Sequence, residues 1–402
     1  MIADVSKPSV RSWILLLALT GCPKAADTTS SPDANEGSDQ SGEAAVEASS
    51  PGVYFAVDDR VVWLSEAGEF SLIASPDGQV RQLLVGPERR LSLVGDTGIW
   101  VLEQGRFVPW LEFDSGLGRV EQIAIGEGEV WAIGSAAIGV AHKAEWRLAG
   151  KLEREVVDFA SGARGALFGL VDEHVLRFEG PDAWIDVGVA LPFAHASELA
   201  IADSGRVAIA GATCELAVVD ANEPGAAWAR GRESGYGCEY PSALALDGRG
   251  RVWVGSTTGV HVVESSGAVQ AYPTGSLPEL VGSLRSIAVI GEGPRELPSA
   301  GPIRSGGFAG TLEFRGKPLA KAKVEICPRP APLFHSTPCD NSKLRFTTTT
   351  AADGRFRFDA VPLARYGWAL QIGEQWTSTE ADAVVGTMQA DQVLDIGVQR
   401  LE

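Results

Sequence analysis

The chain has 402 residues and a formal net charge of -18, from 34 Lys and Arg against 52 Asp and Glu. That balance argues against nucleic-acid binding, which needs clustered basic side chains, and against electrostatic adsorption to an anionic membrane; it suits plain solubility. Length fits two or three domains, a hydrophobic content of 45% is ample for buried cores, and 47 Gly with 11 Trp among short apolar runs suits an all-β chain.

Met1 to Trp13 is mildly basic, with Lys7 and Arg11. Trp13-Ile-Leu-Leu-Leu-Ala-Leu19 is an apolar core too short to span a membrane, and Leu19-Thr20-Gly21-Cys22 closes it. This run resembles a bacterial lipoprotein signal with its lipobox. The resemblance implies that residues 1–21 are a signal peptide cleaved before Cys22, and that Cys22 carries the lipid. Several acyl chains, palmitate among them, give a stable membrane anchor where one is marginal. The competing reading is an ordinary secretory signal with Cys22 incidental. Residues 22–50 then form a lipidated Cys and an acidic tether. Pro23 to Ser50 is rich in Ser, Ala, Thr, Asp and Glu with Lys24 its only base, which predicts a disordered spacer.

From Pro51 the pattern changes to short strands. Val53 to Val57, Val61 to Leu64 and Phe70 to Ile73 are strands separated by Asp58-Asp59-Arg60 and Glu66-Ala67-Gly68-Glu69. Pro241 to Val263 reads as three: Leu244 and Leu246 alternate with small residues, Val252-Trp253-Val254 follows an Asp247-Gly248-Arg249-Gly250 turn, and Val260 to Val263 follows a second Gly-rich turn. Val120 to Gly134 repeats this unit with Trp131 in place of Trp253, and Glu198 to Gly211 repeats it with Ala208 there. Weaker copies start near Leu83 and Val157, and a lone first strand lies at Leu284 to Ile290. The anchors Leu83, Ile123, Val157, Leu199, Leu244 and Ile287 recur at about 34 to 45 residues, the period of four-stranded propeller blades.

The 241–263 unit, D-x-x-G-x-V-W-V-G-[ST]-x-x-G-V, resembles the propeller repeat in sensor regions of two-component regulators and that of streptogramin-lyase-type propellers. The expected fold over residues 51–291 is therefore a β-propeller, with six blades and seven as the alternative. The strand at Leu284 to Ile290 is expected to complete the blade begun at residues 53–73, hiding edges that would otherwise aggregate.

With Cys22 lipidated, four cysteines remain, and the simplest pairing is local: Cys214 with Cys238 and Cys327 with Cys339. No paired C-x-x-C suits zinc. His335, four residues before Cys339, is a weaker metal-ligand reading than a disulfide. Residues 292–306 are Pro- and Gly-rich and read as a linker. Beyond them, G-x-L-x-x-x-G-x-P-L-x-x-A-x-V and T-x-A-D-G-x-F-x-F-x-x-V-P resemble the carboxypeptidase regulatory-like domain. The resemblance covers roughly residues 307 to 373 and implies a small, non-catalytic transthyretin-like β-sandwich over 307–402. Asp353-Gly354 reads as a hairpin turn. The Cys327 to Cys339 insert departs from the family's compact pattern.

Streptogramin-lyase-like propellers converge His and acidic residues on their channel. Here His142, His174, His195 and His261 fall at non-equivalent repeat positions without evident acidic partners, and His261 is expected to face outward. No catalytic, cofactor-binding or metal-ligating residues are assigned, and Trp131 and Trp253 are assigned to packing. The leading expectation is a non-catalytic lipoprotein of the cell envelope, periplasmic or on the outer surface. Its membrane partner is reached through the lipid, and its propeller binds a protein or small ligand. The alternatives are a propeller lyase or hydrolase acting on an exported small molecule or glycan, and a passive spacer. Ionisable side chains clustered at the channel mouth would favour the enzyme. Replacing Cys22 by Ser is expected to release the protein from membranes; unchanged fractionation of that variant would contradict the anchor.

Overall fold

The computed structural model describes residues 49–401, apart from 77, 79, 87, 153, 163–164, 189–190, 192, 203, 221–227, 231–236, 332–335 and 379–389. The expected signal over residues 1–21, Cys22, almost all of the expected tether and His335 lie outside the described residues. No described helix is long and apolar enough to cross a membrane.

Between residues 52 and 290 the described residues form six four-stranded sheets. β1 (Gly52–Val57), β2 (Arg60–Ser65) and β3 (Phe70–Ile73) belong to the first. β4 (Gln82–Val85), β5 (Leu91–Val94), β6 (Gly98–Glu103) and β7 (Arg106–Glu112) make the second. The third holds β8 (Val120–Ile125), β9 (Glu129–Gly134), β10 (Ile138–His142) and β11 (Glu145–Gly150). The fourth holds β12 (Val156–Ser161), β13 (Leu167–Val171), β14 (His174–Gly180) and β15 (Ala183–Asp186). β16 (Ala196–Ile201), β17 (Arg206–Gly211), β18 (Leu216–Asp220) and β19 (Trp228–Arg230) make the fifth. β20 (Pro241–Leu246), β21 (Val252–Ser256), β22 (Gly259–Val263) and β23 (Val269–Pro273) make the sixth. β24 (Leu284–Ile290) then returns to pair antiparallel with β1, so the first sheet runs β24-β1-β2-β3.

The first strand of each sheet packs on the first strand of the next, β4, β8, β12, β16, β20 and β24 in turn, and β24 packs on β4. This closed ring is a β-propeller, with the lone late strand completing the early sheet as expected. Two details differ from the sequence reading. Every sheet from the second to the sixth has an outer strand, including Val269–Pro273 beyond the three strands read at 241–263. These outer strands are half solvated, so their apolar alternation is weak. In the fourth sheet the residue equivalent to Leu199 and Leu244 is Phe159, paired with Gly169, and not Val157. Val157 is 40% exposed, whereas Phe159 is 1% exposed.

Seams between sheets are filled by aromatic side chains. Trp253 is buried and meets Phe55 edge-on at 5.9 Å; Trp131 meets Phe178 at 4.8 Å. Both tryptophans pack, as expected. Ala208 is fully buried opposite Ala200, its small side chain filling the place the two indoles fill elsewhere. The Asp247 turn is tied by charge: its carboxylate accepts from Arg251 Nε at 2.6 Å and Trp253 Nε1 at 3.0 Å. Arg251 Nη2 in turn donates to the Pro294 carbonyl at 2.6 Å. Gly250 there holds φ +79°, a conformation that favours glycine.

The C-terminal residues form two further sheets. β25 (Ser305–Phe314), β26 (Lys317–Pro318), β29 (Arg355–Pro362) and β32 (Val393–Leu401) make one, with β32 parallel to β25. β27 (Lys323–Cys327), β28 (Phe346–Thr349), β30 (Gly367–Ile372) and β31 (Gln375–Ser378) make the other. Phe308, Phe356 and Phe358 from the first and Val324, Ile326 and Trp368 from the second share one core. Asp353-Gly354 is not a hairpin: β28 pairs with β27 and β29 with β25, so the turn crosses between sheets. The reason is burial, since Phe356 and Phe358 stack beside Phe308 rather than opposite the polar Thr run of β28.

Cys214 bonds Cys238 and Cys327 bonds Cys339, with Cα separations of 5.9 and 5.8 Å. The local pairing expected from the sequence is the one formed. Such bonds persist in oxidising compartments, as befits an exported protein.

Asp247→Ala is expected to cost about 3–5 kcal/mol in urea unfolding, because it leaves the buried Arg251 guanidinium without its charge partner. Asp353→Ala, at an exposed ion pair, is expected to cost under about 1 kcal/mol; equal losses would refute the assignment.

Candidate functional site

One backbone device recurs around the ring. In each inner strand an extra residue breaks the register, a β-bulge, which re-aims side chains next to it. The shifts fall at Val120/Gln122, Val156/Asp158, Ala196/Glu198 and Pro241/Ala243, and between Leu284 and Ser286 against β1. In the second sheet Arg81 and Gln82 both face Val94. The inserted residues are therefore Arg81, Glu121, Val157, Ser197, Ser242 and Arg285, and the residues after them are Gln82, Gln122, Asp158, Glu198, Ala243 and Ser286.

The residues after the bulge stitch neighbouring sheets together. Ser286 Oγ accepts from Leu83 N at 3.0 Å, and at the equivalent place Asp158 Oδ2 accepts from Leu199 N at 2.7 Å. Gln122 Nε2 donates to the Val157 carbonyl at 3.2 Å, and from the bulge itself Ser242 Oγ donates to that of Leu284 at 2.8 Å.

Inside the ring is a cavity of about 440 Å³ whose lining includes Arg81, Gln122, Asp158, Glu198, Ser242 and Arg285. Asp158 and Glu198 stand on adjacent inner strands. Burial pushes the Asp158 carboxyl up to about 6, although N–H groups of Leu199 and Phe159 pull the other way. Burial, then the Asp158 charge, holds Glu198 well above the usual carboxylate range. Two such groups titrate as a pair, so one proton stays to higher pH than a solvated carboxyl allows.

None of this is legible as a site in the sequence, where Asp158 and Glu198 share no motif. Placing the anchor at Val157 put Asp158 on the wrong side of it; aligned on Phe159, the column before the anchor is polar in every repeat but one. The histidines lie elsewhere. His142 is exposed. His174 Nδ1 is 3.4 Å from Asp186 Oδ2 and His195 Nδ1 is 3.9 Å from Glu173 Oε1, so both have acidic partners, on the exposed rim. His261 does not face outward: it is 3% exposed, with Nε2 3.4 Å from Thr258 Oγ1, because both faces of an inner sheet are covered. Among the described residues no three His, Cys, Asp or Glu side chains are grouped to hold a metal ion.

No protein-family model matches the chain, and neither does any curated protein. Several solved structures are similar to part of the chain. A streptogramin B lyase is 14% identical over 56% of this chain and 83% of its own, at a TM-score of 0.40. Virginiamycin B lyase from Staphylococcus aureus, solved with quinupristin, is 11% identical over 61% and 94%, at 0.41. The extracellular domain of BT4673 from B. thetaiotaomicron is 8% identical over 82% and 53%, at 0.39. What this chain binds has to come from its own side chains.

A carboxyl that keeps its proton in the folded state but loses it on unfolding lowers stability as pH rises, since the unfolded chain then binds fewer protons. Glu198→Gln is expected to gain stability over the parent from about pH 4.5 upward, by at most about 1.4 kcal/mol per pH unit. Parallel pH–stability curves for the two proteins would show that Glu198 is not perturbed.

Proposed function

We propose that the chain is an exported, membrane-tethered β-propeller protein that binds a small polar ligand in its central passage. Lipidated Cys22 and the acidic tether hold the ring at the cell envelope, and the C-terminal sheets act as a non-catalytic companion module of the carboxypeptidase regulatory-like kind. The observation that carries this reading is the hub cavity with Asp158 and Glu198 in its wall. Asp158 has both carboxylate oxygens engaged by backbone N–H groups, Oδ1 with Phe159 and Oδ2 with Leu199, so its work is to join sheets. Glu198 makes no such bond among the described residues, and a retained proton makes it a hydrogen-bond donor to a guest. The size fits a small-molecule site.

A second reading is supported by that same proton. A carboxylic acid kept neutral by burial is what general acid catalysis requires, which keeps a lyase or hydrolase acting on an exported small molecule or glycan in view. Thermal shift of the full chain in detergent against sugars, polyols and small acids tests the first reading. At least one compound is expected to raise Tm in the parent and not in Glu198→Gln. If stabilisation persists in that variant while turnover of the compound is lost, the acid reading replaces the binding one; stabilisation by no compound at millimolar concentration would count against both.

A further inference from the structure

A second cavity, of about 450 Å³, meets the first at the bulge level. Arg81, Glu198, Ser242 and Arg285 line both. The described residues belong to one compact unit, and the second cavity takes its walls from two parts of it. Arg81 immediately precedes β4, Arg285 lies in β24, Tyr240 comes from the turn before β20, and Arg329 and Arg365 lie in segments that connect strands of the C-terminal sheets.

Four arginines thus converge on one cleft of a chain whose formal net charge is -18. Glu198 is the one acidic side chain among the lining residues. Three of the arginines keep donors open. Arg81 makes no side-chain hydrogen bond or ion pair with the described residues. Arg329 lies over the Tyr240 ring, 5.8 Å from its centroid, a stack that leaves the N–H edge of the guanidinium available. Arg365 has Nη1 3.5 Å from Asp58 Oδ1, its Nη2 makes no hydrogen bond with the described residues, and the side chain is 22% exposed in the cleft wall. Tyr240 itself holds φ +47°, a costly conformation for a bulky residue and one that clusters at ligand clamps.

The walls are held together independently of any guest. Glu239 takes the Lys343 N–H at 2.9 Å on each carboxylate oxygen, and Lys343 Nζ reaches the Gly237 carbonyl at 3.2 Å. These bonds join the propeller to the C-terminal sheets beside the cleft.

We propose that this cleft binds a small molecule carrying two or more oxyanion groups, carboxylate or phosphate, gripped between Arg81 on the propeller side and Arg329 and Arg365 on the sandwich side. The inference rests on the passage being a ligand site and adds the ligand's charge class. Guanidinium forks match both oxyanions, and two forks on opposite walls select a guest with charge at both ends. A protonated Glu198 at the inner end adds no repulsion and donates one more hydrogen bond.

The test is calorimetric titration of the full chain in detergent with citrate and, separately, with pyrophosphate, at low and at high ionic strength. At least one of the two is expected to bind saturably and to weaken as salt screens the guanidinium groups. Arg329→Gln, at an exposed site that spares the fold, and Arg81→Gln are each expected to weaken binding by about tenfold or more. Arg357→Gln, remote and paired with Asp359, is expected to leave it unchanged. The stronger of the two probes identifies planar carboxylate or tetrahedral phosphate as the preferred group. Failure of both anions to bind at low salt overturns the proposal, as does equal binding by the Arg329, Arg81 and Arg357 variants. Neutral compounds that stabilise the chain through Glu198, with neither anion bound, would overturn the charge class alone and leave the passage as a ligand site.

Discussion

The pairing of β24 with β1 is the constraint on which the rest of the ring depends. Phe55 lies opposite Ile287 and Val53 opposite Val289, so the strand that ends the ring is set in register against the one that begins it. Six small sheets in a row would leave two sticky edges and two uncovered apolar faces. Closure removes both, and it brings residues about 230 apart in sequence into contact. The shared Leu83–Ser286 and Asp58–Ser283 hydrogen bonds lock the same junction from its two sides.

Closure also creates an inside. A regular strand alternates its side chains between the two faces of its sheet, which in a propeller are both buried against neighbours. The bulge interrupts that alternation once per sheet at the same height, so polar and charged side chains meet at the hub instead of being forced into apolar seams. Some of that polarity is spent on joining sheets, as with Ser286 and Asp158. The rest, Glu198 and the arginines, faces the lumen. The low dielectric of a narrow passage then makes proton and charge at this level interdependent, which is why the two carboxyls cannot be treated as ordinary acids.

The stretch after the ring is more than a spacer. Arg251 and Gln270 side chains donate to the carbonyls of Pro294 and Pro298, Tyr272 OH donates to Pro298 as well, and Gly301 and Arg304 bond the backbone at Ser276 and Gly275. Laid along the sixth sheet in this way, it delivers the C-terminal sheets to one mouth of the passage. A Pro- and Gly-rich composition says only that such a segment forms no regular element; whether it hangs free or is lashed down depends on which carbonyls meet which donors.

The amino-acid sequence by itself determined the all-β class, the strand alternation, the repeat near forty residues, the return of the last inner strand and the two disulfide partners. Each of these is a local pattern or a matter of counting, and burial of apolar alternation enforces it wherever the chain goes. Only the tertiary structure decided the rest: that Phe159 and not Val157 carries the fourth repeat, that Asp353-Gly354 crosses between sheets, that His261 is buried, and that Arg81, Asp158, Glu198 and Arg285 share a hub with Arg329 and Arg365 near its mouth. Those residues are separated by long stretches of chain and carry no common motif. What unites them is a one-residue slip in the inner strands together with a ring that closes: the slip shows only in which residues pair across the sheet, and closure joins strands far apart in sequence.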